Sequence, residues 1–237
     1  MPVNHIEGHI HSVEIKNQKS KIKNTIEFPA LCLVVSGGHT ELIVMKDHGV
    51  YTRIGATRDD AAGECFDKVA KLLGFEYPGG PKISAFAETG NTHAITFPRP
   101  MMHEKNYEFS FAGLKTAALY WLRDHKLIES GITVNDFCAS FEQAIVDVII
   151  HKTMNAAKEY QPKTIILCGG VSANKKLRED LQKNISTQFP HSAFLIPDSN
   201  HCMDNGAMIA AAGYFHAIKH EYVDWRKIVV DPNWRIA

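Results

Sequence analysis

Apolar positions along the chain fall into two rhythms. Leu31–Val35 and Leu42–Met45 are short unbroken apolar runs on either side of Ser36-Gly37-Gly38-His39-Thr40-Glu41. Runs of that length flanked by glycine predict strands, here two strands joined by a tight turn. Residues 31–57 read as a β-meander, with turns at Gly37-Gly38 and Asp47–Gly49. A helical period follows over 59–74, with Asp59 or Asp60 as cap and Gly74 as stop. A short helix over 81–90 ends at Gly90-Asn91, and a loop rich in Pro and Met spans Phe97 to His103. Tyr107 to Phe111 alternates like a strand, and 113–125 returns to the helical period.

The second half continues in alternation. Residues 133–160 form the longest helical pattern, with Phe137, Phe141, Ile145, Val148 and Ile149 on one apolar stripe. Thr164 to Cys168 reads as a buried strand, about 174 to 185 as a helix, and Ala193 to Ile196 as a strand. A final apolar helix starts near Asp204 and runs to about Ile218. Strands first and strand–helix alternation afterwards is the order of an α/β domain built like ribonuclease H.

Three glycine-hinged segments stand at strand ends or helix starts: Ser36-Gly37-Gly38, Tyr77-Pro78-Gly79-Gly80-Pro81 and Cys168-Gly169-Gly170-Val171-Ser172-Ala173-Asn174. Glycine lets main chain approach a ligand, and successive amides or a helix N-terminus attract anions. Several such cradles in one domain point to a nucleotide, although plain turns explain each one separately. Neither the Walker pattern nor the Rossmann fingerprint is present.

Composition narrows this picture. The 237 residues carry 26 Lys+Arg and 26 Asp+Glu, a formal charge of zero. Contact with nucleic acid must therefore come from a local patch or a partner. The basic stretch Lys16, Lys19, Lys21, Lys23 is such a patch or a solvated loop. The five cysteines have no C-x-x-C spacing and sit in apolar patterns, which predicts reduced, buried thiols and a cytoplasmic protein. No run is long and apolar enough to predict a membrane span or a secretory leader.

Candidate chemistry is concentrated at a few positions. His5-Ile6-Glu7-Gly8-His9 places two imidazoles at i and i+4, on one helix face if the segment is helical. They are either a metal grip or a pair of surface histidines. Glu7 stands two places after His5, so this is not the zinc-peptidase motif and lacks its general base. Asp204 is either the cap of the last helix or a third ligand, since two His and one carboxylate leave positions open to a substrate oxygen. Asp67 is either a partner for ribose hydroxyls or a surface pair with Lys71. Lys115, at a strand-to-helix junction, is either a phosphate contact or an ordinary surface lysine. No Ser/His/Asp or Cys/His triad can be assigned from spacing.

In this order, His5-Ile6-Glu7-Gly8-His9, Ser36-Gly37-Gly38-His39-Thr40-Glu41, Asp59-Asp60-Ala61-Ala62-Gly63-Glu64, Phe66-Asp67-Lys68, Tyr77–Pro81, Gly169–Asn174 and Asp204–Ala210 resemble one family. It is the tRNA N6-adenosine threonylcarbamoyltransferases, once described as sialoglycoprotein endopeptidases, and the resemblance spans essentially the whole chain. It implies an actin-like ATPase (ribonuclease H-like) fold, mainly its second lobe, with the first lobe largely missing. Residues 1–30 would be a remnant with the metal helix, 31–225 the second lobe, and 226–237 a C-terminal strand or tail. It implies transfer of threonylcarbamoyl from threonylcarbamoyl-AMP to N6 of the adenosine 3′ of the anticodon, in tRNAs reading codons that begin with A. His5, His9 and Asp204 would hold iron or zinc, and Val34, Val35, Ser36, Gly37, Gly38, Asp67, Gly80 and Asn174 the adenylate. Implied partners are tRNA, a paralogous subunit, an ATPase subunit and a separate N-terminal lobe. The chain departs from the family at Ala112, where Ser is usual, and at Met203, where Thr is usual. The family also carries a whole lobe ahead of the His-x-x-x-His helix, so that helix is expected to lack part of its packing. The competing reading is a non-catalytic remnant or half of a split enzyme that serves as a scaffold. A small-molecule kinase of the same superfamily and a metalloprotease are the weaker alternatives.

Overall fold

The computed structural model describes residues 1–15, 25–125 and 127–236. The basic stretch from Lys16 to Lys23 lies outside them. Five strands form one mixed sheet: β1 (Ala30–Val35), β2 (Thr40–Asp47), β3 (Val50–Ala56), β4 (Thr164–Cys168) and β5 (Ala193–Leu195). Their order is β3-β2-β1-β4-β5. The meander β1–β2–β3 is antiparallel, as its tight turns require, and β4 and β5 join in parallel after helical crossovers.

Strand β1 is central, so both of its faces are buried. Leu31, Leu33 and Val35 point to one face, and Ala30, Cys32 and Val34 to the other. Behind the first face pack α2 (Ala62–Leu72), α3 (Gly79–Ala87), α4 (Ala112–Asp124), α6 (Val134–Tyr160) and α7 (Lys175–Gln188). The expected stripe of α6, Phe137 to Ile149, is fully buried there. Thr133 and Asp136 cap α6 reciprocally, each side chain accepting from the other's backbone N–H. The short α5 (Leu127–Ser130) precedes it.

On the second face lies α1 (His5–His11), where Ile6 and Ile10 join Cys32, Val34, Ile43 and Ile166. Helix α8 (Gly206–Ile218) crosses α1 at Gly8, where a Cβ would stand 2.9 Å from the Ile209 Cδ1. Glycine is needed here for close approach of the two helices. The expectation of an underpacked α1 does not hold, because Ile6 through His11 are all buried. Residues 228–236 form no strand, and the Asn4 side-chain amide donates to the Trp234 carbonyl at 2.7 Å.

Several expected elements shift. Helix α2 starts at Ala62 instead of 59, and its N-cap Ala61 offers no side chain. Tyr107–Phe111 makes a single parallel bridge, Thr57 to Phe109, and no strand. Asp59 ends that pairing: its Oδ1 accepts from the N–H of Phe111 and Ala112, and its Oδ2 from the Ser110 hydroxyl. Asp59 therefore caps α4 instead of the helix it precedes in sequence. All five cysteines are free and buried, as expected. Among the described residues no helix is long and apolar enough to cross a membrane.

Candidate metal and nucleotide site

The Asn4 side-chain oxygen caps α1, accepting from the N–H of Ile6 at 2.9 Å and Glu7 at 3.4 Å. At about 100° per residue, His5 and His9 share one face, while Glu7 and His11 share the opposite one. Asn205 caps α8 through its side-chain oxygen and the Met208 N–H, so Asp204 is not needed as a cap. Its carboxylate instead meets the histidine pair. Asp204 Oδ1 lies 3.4 Å from His5 Nε2 and 3.2 Å from His9 Nε2, and the two rings stand edge to face at 4.8 Å.

His9 is 1% exposed, and neither ring nitrogen has a hydrogen-bond partner. Its 3.2 Å approach to Asp204 lacks hydrogen-bond geometry, so a close contact leaves a buried nitrogen unsatisfied. Burial, reinforced by the neighbouring His5, lowers the His9 pKa to about 4. The ring is thus neutral at pH 7 with a lone pair available. Two imidazoles and a carboxylate within 4.8 Å of one another fit a divalent ion with open positions.

This cluster adjoins the first glycine turn through His39, to which its sequence context alone assigns no role. The His39 ring lies 6.3 Å from that of His5, and burial lowers its pKa also. The turn is closed by two backbone contacts: Ser36 N–H donates to the His39 carbonyl at 2.8 Å, and His39 N–H to the Ser36 hydroxyl at 3.1 Å. The available signal was position, since His39 directly follows Gly37-Gly38.

The remaining candidates form a ring of contacts around the C-terminal ends of β1 and β4. Beyond Val35, Gly37 and Gly38 are exposed, and a Cβ on either would meet nothing within 4 Å. The fold itself does not require these glycines, so the space above them is free for a ligand. The start of α2 abuts the turn, with Gly63 N–H donating to the Ser36 carbonyl at 3.2 Å. Asp67, further along α2, caps α3: its Oδ1 accepts from Gly79 N–H at 2.8 Å and Gly80 N–H at 3.2 Å. That arrangement replaces the surface pair with Lys71. Ser84 of α3 then accepts from the Asn174 amide at 2.9 Å, and Glu142 of α6 accepts from the same amide at 2.6 Å. Asn174 Oδ1 caps α7 through the Leu177 N–H. Burial raises the Glu142 pKa, against the pull of its bonds to Ser84 and Asn174.

Gly169 returns the ring to β1. Its φ is +89°, and a Cβ there would lie 2.5 Å from the Val35 carbonyl oxygen. Only glycine tolerates both conditions. Gly170 faces Met203, whose sulfur would be 3.0 Å from an added Cβ, so the segment carrying Asp204 also rests on this turn. Lys115 does not face the cleft as a free cation. Its Nζ pairs with Asp60 Oδ2 at 2.5 Å, and Lys68 holds the other oxygen at 2.9 Å. Burial alone would raise the Asp60 pKa, but the two lysines outweigh it and hold the carboxyl below its usual range.

A mixed sheet backed by helices, with glycine turns at the ends of its parallel strands and a His/His/Asp cluster beside them, defines an actin-like ATPase-type domain with a candidate metal centre. Solved structures agree on the fold. HypF from T. kodakarensis superposes with a TM-score of 0.66 at 15% identity, covering 92% of this chain and 37% of that one. Full-length HypF in a phosphate- and nucleotide-bound form gives 0.67 at 14% identity, covering 92% and 43%.

Sequence comparison is more specific. Residues 1–211 match the family TsaD, tRNA N6-adenosine threonylcarbamoyltransferase. The chain belongs to this family. It is 46% identical over 223 residues to the protein of that name from Desulfitobacterium hafniense, covering 94% of this chain and 63% of the relative. To its namesake from Bacillus subtilis it is 47% identical over 211 residues, covering 89% and 58%. The chain thus spans about three fifths of the length of these curated relatives.

Proposed function

We propose that this chain transfers threonylcarbamoyl from threonylcarbamoyl-AMP to N6 of the adenosine 3′ of the anticodon, in tRNAs that read codons beginning with A. The observation that carries the reading is the convergence of His5, His9 and Asp204 beside the open Gly37-Gly38 turn. In this reading residues 31–225 are the second lobe of the fold, 1–30 carry the metal helix, and 226–237 are a tail.

His5, His9 and Asp204 would hold iron or zinc, and the orphaned His9 nitrogens fit that duty. Such an ion supplies Lewis-acid polarisation of a carbonyl or phosphoryl oxygen. The other residues bind and orient. Val34 and Val35 place the turn at the strand end, Ser36 closes it through its bonds to His39, and the amides of Gly37 and Gly38 would meet the negative charge of the adenylate. Asp67 is held by Gly79 and Gly80 through one oxygen, which leaves the other for ribose hydroxyls. Asn174, fixed by Glu142 and Ser84, forms the far wall. The N6 amine forms a bond to the carbamoyl carbon as the bond from that carbon to the phosphate oxygen breaks, AMP leaves with that electron pair, and N6 gives up one proton to the departing phosphate or to water. An anticodon-loop base is unpaired and accessible to such a cleft. With no net charge of its own, the chain relies on a local patch or on helper proteins for tRNA. The helpers in this reading are a paralogous subunit, an ATPase subunit and a separate N-terminal lobe, all in the cytoplasm.

The test is mass spectrometry of tRNA nucleosides from cells whose only copy of this part of the enzyme is this chain, with the helper subunits and the separate N-terminal lobe supplied. Threonylcarbamoyladenosine is expected in the tRNAs reading A-initial codons. Its absence while the folded chain accumulates overturns the proposal.

A further inference from the structure

Helix α1 turns a second set of donors away from the candidate centre. On its far side, His11, Glu14 and His48 bring one ligand atom each within 4.8 Å of one another. His11 is fully buried, and His48 comes from the β2–β3 turn. The Phe215 ring of α8 stacks on both imidazoles, at 4.6 Å from His11 and 3.7 Å from His48, and Phe28 meets His48 edge-on at 5.0 Å. Aromatic rings thus wall the cluster on two sides.

The hydrogen bonds of Tyr51 constrain the protonation of one His11 nitrogen. The Tyr51 hydroxyl donates its one hydrogen to Glu7 Oε1 at 2.9 Å. Tyr51 can then only accept from His11 Nε2, at 3.0 Å, so that nitrogen bears the N–H. In neutral His11 the remaining nitrogen, Nδ1, therefore presents a lone pair. It faces Glu14 Oε2 at 2.6 Å, and a carboxylate oxygen is also an acceptor. At that distance the two atoms share either a proton on Nδ1 or a metal ion, and the cluster of ligand atoms around them suits the second. The nearby His48 Nδ1 is buried and has no hydrogen-bond partner. The His11 N–H held by an oxygen is also the usual support of a metal-bound imidazole.

We propose that His11, Glu14 and His48 form a second divalent transition-metal site, distinct from the His5/His9/Asp204 cluster, in which the ion ties the end of α1 to the β2–β3 turn. Two imidazoles and a carboxylate suit zinc or a similar ion. Tetrahedral ligands at about 2.0–2.2 Å stand roughly 3.3–3.5 Å apart, so the 2.6 Å contact opens and the wider ones close when the ion enters.

The experiment is zinc stoichiometry by equilibrium dialysis and elemental analysis, with the visible spectrum of the cobalt-substituted protein as a second readout. Wild type is expected to bind two ions. His9→Ala and His48→Ala should each bind one, with different cobalt spectra, and the double variant none. Affinity at the second site should fall at least about 10-fold in His48→Gln, which keeps the size of the side chain. Circular dichroism verifies that each variant is folded. A single ion in wild type, lost in His9→Ala and retained in His48→Ala, overturns the proposal and leaves a proton between His11 and Glu14. An ion lost only in His48→Ala sustains it while removing the metal assignment at the first cluster.

Discussion

A neutral imidazole is the form that the surroundings of His9 select. Its native pKa of about 4 lies below the ordinary value of 6.5, so between those limits the unfolded chain binds the proton that the native state refuses. Stability of the metal-free protein should therefore decline as pH falls, by about 2 kcal/mol from pH 7 to pH 5 for this group alone. Urea unfolding at the two pH values measures it, with His9→Gln as the reference in which that part of the slope vanishes. An unchanged slope in the variant would mean that His9 does not carry it. Asn174 carries two duties, which substitution can separate. Asn174→Ser keeps an oxygen able to cap α7 but loses the amide. AMP affinity is expected to fall several-fold, up to about 10-fold, with little change in thermal midpoint. Calorimetry showing full AMP affinity would take Asn174 out of the nucleotide site.

Elements were legible where a period was long and failed where a single side chain redirected the backbone. The stripe of α6 and the runs of β1, β2 and β4 are visible in the sequence because burial enforces their periods. Tyr107–Phe111 alternates correctly, with Phe109 and Phe111 buried, yet becomes no strand because Asp59 captures the next two amides for α4. That capture joins residues about fifty positions apart, and no local pattern reports it. The same limit applies at the site. The glycine turns and the His-x-x-x-His spacing were readable, whereas the meeting of Asp204 with His9, the cap that Asp67 places on α3 and the pairing of Lys115 with Asp60 are tertiary facts. Asp59→Ala should cost about 1–2 kcal/mol and fray the start of α4, seen as faster amide exchange at 112–115. Gly8→Val tests the crossing of α1 and α8. Overpacking there should destabilise by about 1–3 kcal/mol and weaken metal binding although every ligand remains. Undiminished metal affinity would show that the crossing does not position Asp204.

Across the whole molecule, the candidate pocket is assembled from segments whose contacts close on one another, from the β1–β2 turn through α2, α3 and Asn174 back to Gly169 against Val35. A ligand seated in it would touch all of them. AMP, or a non-hydrolysable analogue of the acyl adenylate, should slow amide exchange in 36–38, 79–80 and 169–174 together. Protection confined to one segment would show that the ring is not a single binding unit.

The seven residues of α1 present donors on opposing sides, His5 and His9 toward Asp204, Glu7 and His11 toward Tyr51 and Glu14. A short rod gripped from both sides cannot rotate about its axis to suit one side without misaligning the other. An ion bound at either set of donors would therefore exert a torque that the opposite set feels, and thermodynamic linkage would make that influence equal in both directions.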